Sequence, residues 1–143
     1  MLTLAGVTQD SIVYDLGCGT GDIIVAAARD HSAKKAVGIE QNQRLCSIAR
    51  RKTQRLKNAI IMNANYDEVD VSEANVVTLY QSATENARLR EKLLHELSKG
   101  SKVVSHDFGI PGWHPSMFHT FKEGHRSQRV IVYVIGFQTQ LRR

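Results

Sequence analysis

Apolar positions along this chain alternate between short unbroken runs and stripes at helical spacing. The unbroken runs are Ile12-Val13-Tyr14, Ala36-Val37-Gly38-Ile39, Ala59 to Met62, Val76-Val77-Thr78-Leu79-Tyr80, and Ser101 to His106 with Val103 and Val104 inward. Runs rich in β-branched residues, with few polar breaks, predict strands covered on both faces. Between them lie helical stretches. Ile23 to Ala28 is one. Gln43 to Leu56 carries a stripe of Leu45, Ile48, Ala49 and Leu56. Thr84 to Leu97 points Leu89, Leu93, Leu94 and Leu97 inward and is stopped by Lys99-Gly100. Strand and helix in alternation predict a parallel sheet built from βαβ units. The chain closes differently, with strands over Met117 to Lys122 and Gln128 to Phe137 joined by a hairpin turn at Glu123-Gly124-His125-Arg126-Ser127. The expected fold is α/β, a Rossmann-like doubly wound domain. Its seven-stranded, mostly parallel sheet has an antiparallel last strand. Met1 to Gly6 reads as the end of a helix, Asp67 to Ser72 as a short turn or helical piece, and Arg142-Arg143 as the end of a polar tail.

Composition narrows the class. A chain of 143 residues is expected to form one domain, 1–143. No run is long enough to span a membrane and no basic-then-apolar leader with a cleavage site is visible, so no membrane insertion is expected. Cys18 and Cys46 make neither a disulfide framework nor a zinc site, which fits a reducing cytoplasm. None of the six histidines pairs at metal-ligand spacing on a helix, and no metal site is expected. A net charge of +5 permits an acidic partner or nucleic acid without requiring one. Much of that charge lies on one helix, in Arg44, Arg50, Arg51, Lys52, Arg55 and Lys57. Those residues read first as the solvated outer face of the helix. The sharper alternative is a patch for RNA or an acidic protein.

The chemistry concentrates in Val13-Tyr14-Asp15-Leu16-Gly17-Cys18-Gly19-Thr20-Gly21-Asp22. A strand ends in an acid and three alternate glycines, and a helix follows; this is the opening of a βαβ unit that binds a nucleotide-like ligand. Gly17 and Gly19 let the backbone turn tightly and approach a ligand with no Cβ in the way. The helix start suits a carboxylate or phosphate. Asp15 discriminates between ligands, because a carboxylate repels a pyrophosphate but attracts an ammonium group. A ligand with both an amine and a carboxylate is implied, and S-adenosylmethionine has both. Asp22 occupies the position where a dinucleotide fingerprint has its last glycine. Glu40 closes the next strand, about twenty residues on, where a carboxylate accepts ribose hydroxyls. The cofactor candidates are therefore Asp15, Gly17, Cys18, Gly19, Thr20, Gly21, Glu40 and its neighbour Gln41. Asn65 and Tyr66 join them, as residues that reach an adenine edge or, alternatively, form a turn. The end of the fourth strand, Tyr80-Gln81-Ser82, should border the transferable methyl. His106-Asp107 ends the fifth strand near that site and reads first as a hydrogen-bonded strand-end pair.

These motifs resemble the class I S-adenosylmethionine-dependent methyltransferases. Tyr80-Gln81-Ser82 departs from the Asn-Pro-Pro-aromatic set of the methylases of planar amides and adenine amines. The segment Val104-Ser105-His106-Asp107-Phe108-Gly109-Ile110-Pro111-Gly112-Trp113-His114-Pro115, with Tyr133-Val134-Ile135-Gly136, is similar to the small archaeal protein-lysine methyltransferases. It also resembles their mitochondrial relatives that act on ATP synthase subunits. The resemblance covers about Val7 to Gly136. It implies methyl transfer from S-adenosylmethionine to lysine of a protein partner, leaving S-adenosylhomocysteine. In that reading Tyr80, Phe108 and Trp113 line the target channel and a covering N-terminal segment is short or missing. RNA or a small molecule as acceptor remains an alternative, as does a non-catalytic S-adenosylmethionine-binding module.

Overall fold

Strands form over the apolar runs: β1 (Ile12–Leu16), β2 (Lys35–Glu40), β3 (Ala59–Asn63), β4 (Val76–Leu79), β5 (Lys102–His106), β6 (Met117–Glu123) and β7 (Arg126–Val134). The computed structural model describes residues 1–138, so the tail at Arg142-Arg143 lies outside the described residues. The strands make one seven-stranded sheet in the order β3-β2-β1-β4-β5-β7-β6. β1 to β5 pair in parallel, and β7 runs antiparallel to both β5 and β6. The mostly parallel, Rossmann-like α/β sheet with an antiparallel last strand is thus the fold that forms.

The period-two alternation of the strands sorts side chains into two cores. Val13, Val76, Val104, Val130 and Val132 face the side covered by the N-terminal turn (1–6) and two helices. Those helices are α1 (Asp22–Val25, widening into a π-helical stretch over Ala26–Asp30) and α2 (Gln43–Thr53). Tyr14, Val77, Val103, Ile131 and Tyr133 face α3 (Ala83–Glu96) and the loops beside it. Two side-chain caps fix helix starts. Asn42 accepts from the N–H groups of Arg44 and Leu45 at the start of α2, and Ser82 from that of Glu85 at the start of α3. Leu89 and Leu93 of α3 are fully buried against the sheet.

Three details depart from the sequence expectation. α2 stops at Thr53, short of Leu56, and buries Cys46, Ala49 and Thr53, with Leu45, Ile48 and Leu56 only half-buried. The reason is close approach: a Cβ on Gly21 would stand 3.0 Å from that of Ala49, so the seam accepts only small side chains. β7 begins earlier than expected, leaving Gly124-His125 as the whole hairpin turn. It also ends earlier, at Val134, where the chain turns through Gly136 at φ +97°.

Candidate active site

Winding reverses at β1, which has β2 on one side and β4 on the other. A crevice forms at the carboxyl ends of strands flanking such a reversal. Here it is a cavity of about 350 Å³ whose lining includes Asp15, Gly17, Cys18, Gly19, Tyr80 and His106. The glycine turn forms its floor. The N–H groups of Gly17 and Cys18 both donate to the Ile39 carbonyl, at 2.8 and 3.0 Å, which ties the turn to the end of β2. Gly17 sits at φ +79°, and a Cβ there would collide with Gln81 Nε2. Gln81 in turn donates to the Leu16 carbonyl at 2.9 Å. The dihedral therefore favours glycine at this position, and any Cβ there would also displace the Gln81 amide.

Two acids set the electrostatics. Asp15 is buried, and Thr78 Oγ1 donates to its Oδ1 at 2.7 Å. Burial pushes the Asp15 carboxyl up to about 6; the Thr78 hydrogen bond opposes the rise and repulsion from Glu40 adds to it. Glu40 Oε1 accepts from the Gly19 N–H at 2.9 Å, and its Oε2 from the Asn42 N–H at 2.7 Å. Those bonds aim the carboxylate while leaving each oxygen a further lone pair. Among the described residues, no lysine or arginine lines the cavity. The cleft therefore favours a ligand with an amine and hydroxyls over a pyrophosphate. Burial, with Asp15 and Glu40 adding, pushes the Cys18 thiol up to about 12, so it stays protonated and supplies no nucleophile.

The opposite wall is aromatic. Tyr80 follows β4 and is largely exposed, and its ring meets that of His106 edge to face at 4.4 Å. His106 Nε2 donates to Gln128 Oε1 at 2.7 Å; the direction is set because Gln128 Nε2 donates to Glu123 at 2.8 Å. The next residue, Asp107, takes φ +65°, a conformation that side chains adopt at a cost of about 1 kcal/mol or more. The Arg129 N–H holds it there by donating to Asp107 Oδ1 at 3.0 Å.

Residues 15–117 match the ANTKMT methyltransferase domain model. A protein-lysine N-methyltransferase of Saccharolobus islandicus (strain REY15A) is 45% identical over 139 residues, covering 95% of this chain and 86% of the relative. The chain belongs to the ANTKMT methyltransferase family. The adenine nucleotide translocase lysine N-methyltransferase of Mus musculus is 32% identical over 106 residues, which are 72% of this chain and 46% of that protein; the match thus spans about half of the mouse protein's length. Among solved structures, the RNA methyltransferase from Salinibacter ruber in complex with S-adenosyl-L-homocysteine is 37% identical. It superposes with a TM-score of 0.85, over 94% of this chain and 86% of that one.

This methyltransferase uses S-adenosylmethionine, and the residues present fit it. Asp15 in the cavity and Glu40 on the Gly19 N–H have the charge and acceptor capacity that an ammonium and ribose hydroxyls call for. Gly19, which lines the cavity, has open space where a Cβ would stand. Among the other residues singled out by sequence, Thr20 lies at the rim, 3.4 Å from Lys52, which also pairs with Asp22 at 2.8 Å. Gln41 is exposed just past β2, its carbonyl accepting from Asn63. Asn65 and Tyr66 do not line the cavity. Asn65 Oδ1 accepts from the Asp67 N–H in a turn, and the Tyr66 hydroxyl donates to Glu85 under the Arg88 guanidinium. Trp113 requires a correction. Expected in the target channel, it is 7% exposed and packs edge to face on Tyr133 in the core on the α3 side. The loop is drawn there by the Ile110 N–H donating to the Tyr133 hydroxyl at 2.9 Å. Asn86 also holds it, donating to the carbonyls of Phe108 and Gly109. Phe108 is about half exposed on the same loop and does not line the cavity. Sequence reasoning missed Thr78 and Asn86 as site supports. Their signal is a lone polar side chain on the apolar face of a strand or helix.

Proposed function

We propose that the chain methylates lysine side chains of proteins. The observation that carries the reading is the 45% identity, over nearly the whole chain, to a protein-lysine N-methyltransferase. The form of the cleft agrees with it. Asp15 would hold the ammonium of S-adenosylmethionine, Glu40 the ribose hydroxyls, and the turn from Gly17 to Gly21 would pass beneath. The bound cofactor supplies an activated sulfonium methyl for in-line displacement by an amine. Tyr80 and His106 stand at the opening, where they orient the incoming amine and exclude water. The target must arrive neutral. A free lysine at pKa about 10.4 loses its proton at pH 7 at a cost of roughly 4–5 kcal/mol, and an apolar mouth lowers that cost. His106 donates from Nε2 to Gln128, which fixes its ring at the opening and leaves the lone pair on Nδ1, a buried atom with no hydrogen-bond partner among the described residues. The two buried free thiols suit a reducing, cytoplasmic setting.

A second reading, RNA as acceptor, draws on the exposed arginines of α2 and on the Salinibacter relative. One experiment separates the two: transfer of labelled methyl from S-adenosylmethionine into a cell extract, followed by protease, RNase and amino-acid analysis. Label on lysine supports the first reading. Label released by RNase replaces it with the second, and no label at all, with S-adenosylhomocysteine binding intact, leaves a binding module.

A further inference from the structure

We propose that the face of the β6–β7 hairpin carrying His119 and Phe121 is the docking surface for the polypeptide segment that bears the target lysine. The inference rests on the protein-lysine reading above. Its starting point is a row of rings. Tyr80 and His106 line the cavity and touch each other at 4.4 Å. Phe121 follows His106 at 6.4 Å, and His119 stacks on Phe121 at 6.4 Å with 16° between the planes. The row leads from the cavity mouth across the sheet to its outermost strand.

Topology puts this row at the ligand end of the molecule. β5 ends at His106, which pairs with Val130, whereas β7 begins upstream at Arg126. The hairpin pairs from Thr120–Arg129 to Glu123–Arg126 therefore stand beyond the end of β5, beside the opening. Phe121 is the one residue of β6 that is half-buried, and Met117, on the same face, is 47% exposed. Among the described residues nothing pairs with the outer edge of β6, so an extended segment can add main-chain hydrogen bonds there.

The chemistry of the face selects the occupant. Ring faces attract an ammonium and hold an aliphatic stem, and lysine offers both. The charged groups on this face are Glu123, which accepts from Gln128, and Arg126, which lies 3.7 Å from Asp107. A nucleic acid strand needs a cationic groove to track its phosphates, whereas the other cations of the hairpin, Lys122 and Arg129, alternate onto the opposite face.

The test uses an RNase-treated soluble protein extract as the mixed lysine acceptor. Initial rates against extract concentration give an apparent KM, and S-adenosylhomocysteine affinity and melting temperature are measured alongside. Phe121→Ala is expected to raise the apparent KM about tenfold, as expected for the loss of a ring–cation contact, and His119→Ala about threefold, through lost packing on the Phe121 ring. kcat and S-adenosylhomocysteine affinity should stay within about twofold. Phe118→Ala, on the opposite face and 66% exposed, should match the wild type. An unchanged KM in both Phe121→Ala and His119→Ala, or an equal rise in Phe118→Ala, overturns the docking surface and leaves the lysine reading standing. So does a wild-type dimer that Phe121→Ala converts to monomer, because a second copy would then cover the face. No lysine label from the wild type overturns the reading and the docking surface together.

Discussion

Asp15→Asn should move stability and cofactor affinity in opposite directions. Asp15 has a single side-chain hydrogen bond, from Thr78, and burial lifts its carboxyl from 3.8 to about 6. That displacement corresponds to roughly 3 kcal/mol. In the folded protein the carboxyl keeps its proton to a higher pH than in the unfolded chain. Between about pH 4 and 6 the folded state therefore binds more protons, and stability falls as pH rises through that window. The amide of the variant does not ionise and escapes the fall. The variant should match the wild type near pH 4 and exceed it by up to about 3 kcal/mol at pH 8, roughly 6–12 °C in melting temperature for a chain of this size. Urea unfolding of both proteins without ligand, at pH 4.5, 6 and 8, measures the difference directly. Cofactor binding should change the other way. Losing a charged hydrogen-bond partner for the ammonium costs about 1.5–3 kcal/mol, so S-adenosylhomocysteine affinity should drop roughly tenfold to hundredfold. In the wild type that affinity should weaken as pH falls below about 6. A variant no more stable than the wild type at pH 8, with the same pH profile, would refute the claim that this carboxylate is held charged against its burial for the sake of its ligand.

Three further outcomes follow from the same geometry. Gly17→Ala combines a positive φ with a Cβ that collides with Gln81, so it should lose about 1–3 kcal/mol in urea unfolding and bind S-adenosylhomocysteine at least tenfold more weakly by calorimetry. Glu40→Ala frees the N–H groups of Gly19 and Asn42 and removes the proposed ribose acceptor; calorimetry should show a tenfold or greater loss of affinity with little change in melting temperature. Trp113→Ala should cost about 3–5 kcal/mol of stability as a core truncation, while Trp113→Phe keeps the wild-type apparent KM; a KM change in Trp113→Phe without loss of stability would return the indole to the target channel.

The backbone plan and the cofactor turn were legible in the residue order because each rests on local rules. Unbroken apolar runs with β-branched residues give buried parallel strands, and their alternation with helical stripes gives the winding. An acid before alternate glycines, with a second acid one unit later, specifies a ligand by charge and by steric access alone. Asp15, Gly17 and Gly19 line one crevice, and Glu40 is tied to it through the Gly19 N–H. The acceptor side and the adenine edge were not legible in the same way. Phe108, Trp113, Asn65 and Tyr66 lie in loops, and a loop side chain has no periodicity to fix its direction. Its position follows from which buried polar groups capture its backbone. Tyr133 and Asn86, both distant from Trp113 in sequence, bind the loop after β5 and turn the indole into the core. The helix seam shows the same division. Periodicity put α2 against the sheet, but only the contact between Gly21 and Ala49 decided that Cys46 and Thr53, rather than Leu45 and Leu56, would be buried. The sequence by itself determined the winding, the turn and the two acids, because those depend on neighbours along the chain. The tertiary structure decided which aromatic side chains face the opening and which fill the core, because that depends on hydrogen bonds and close contacts between residues far apart in the chain.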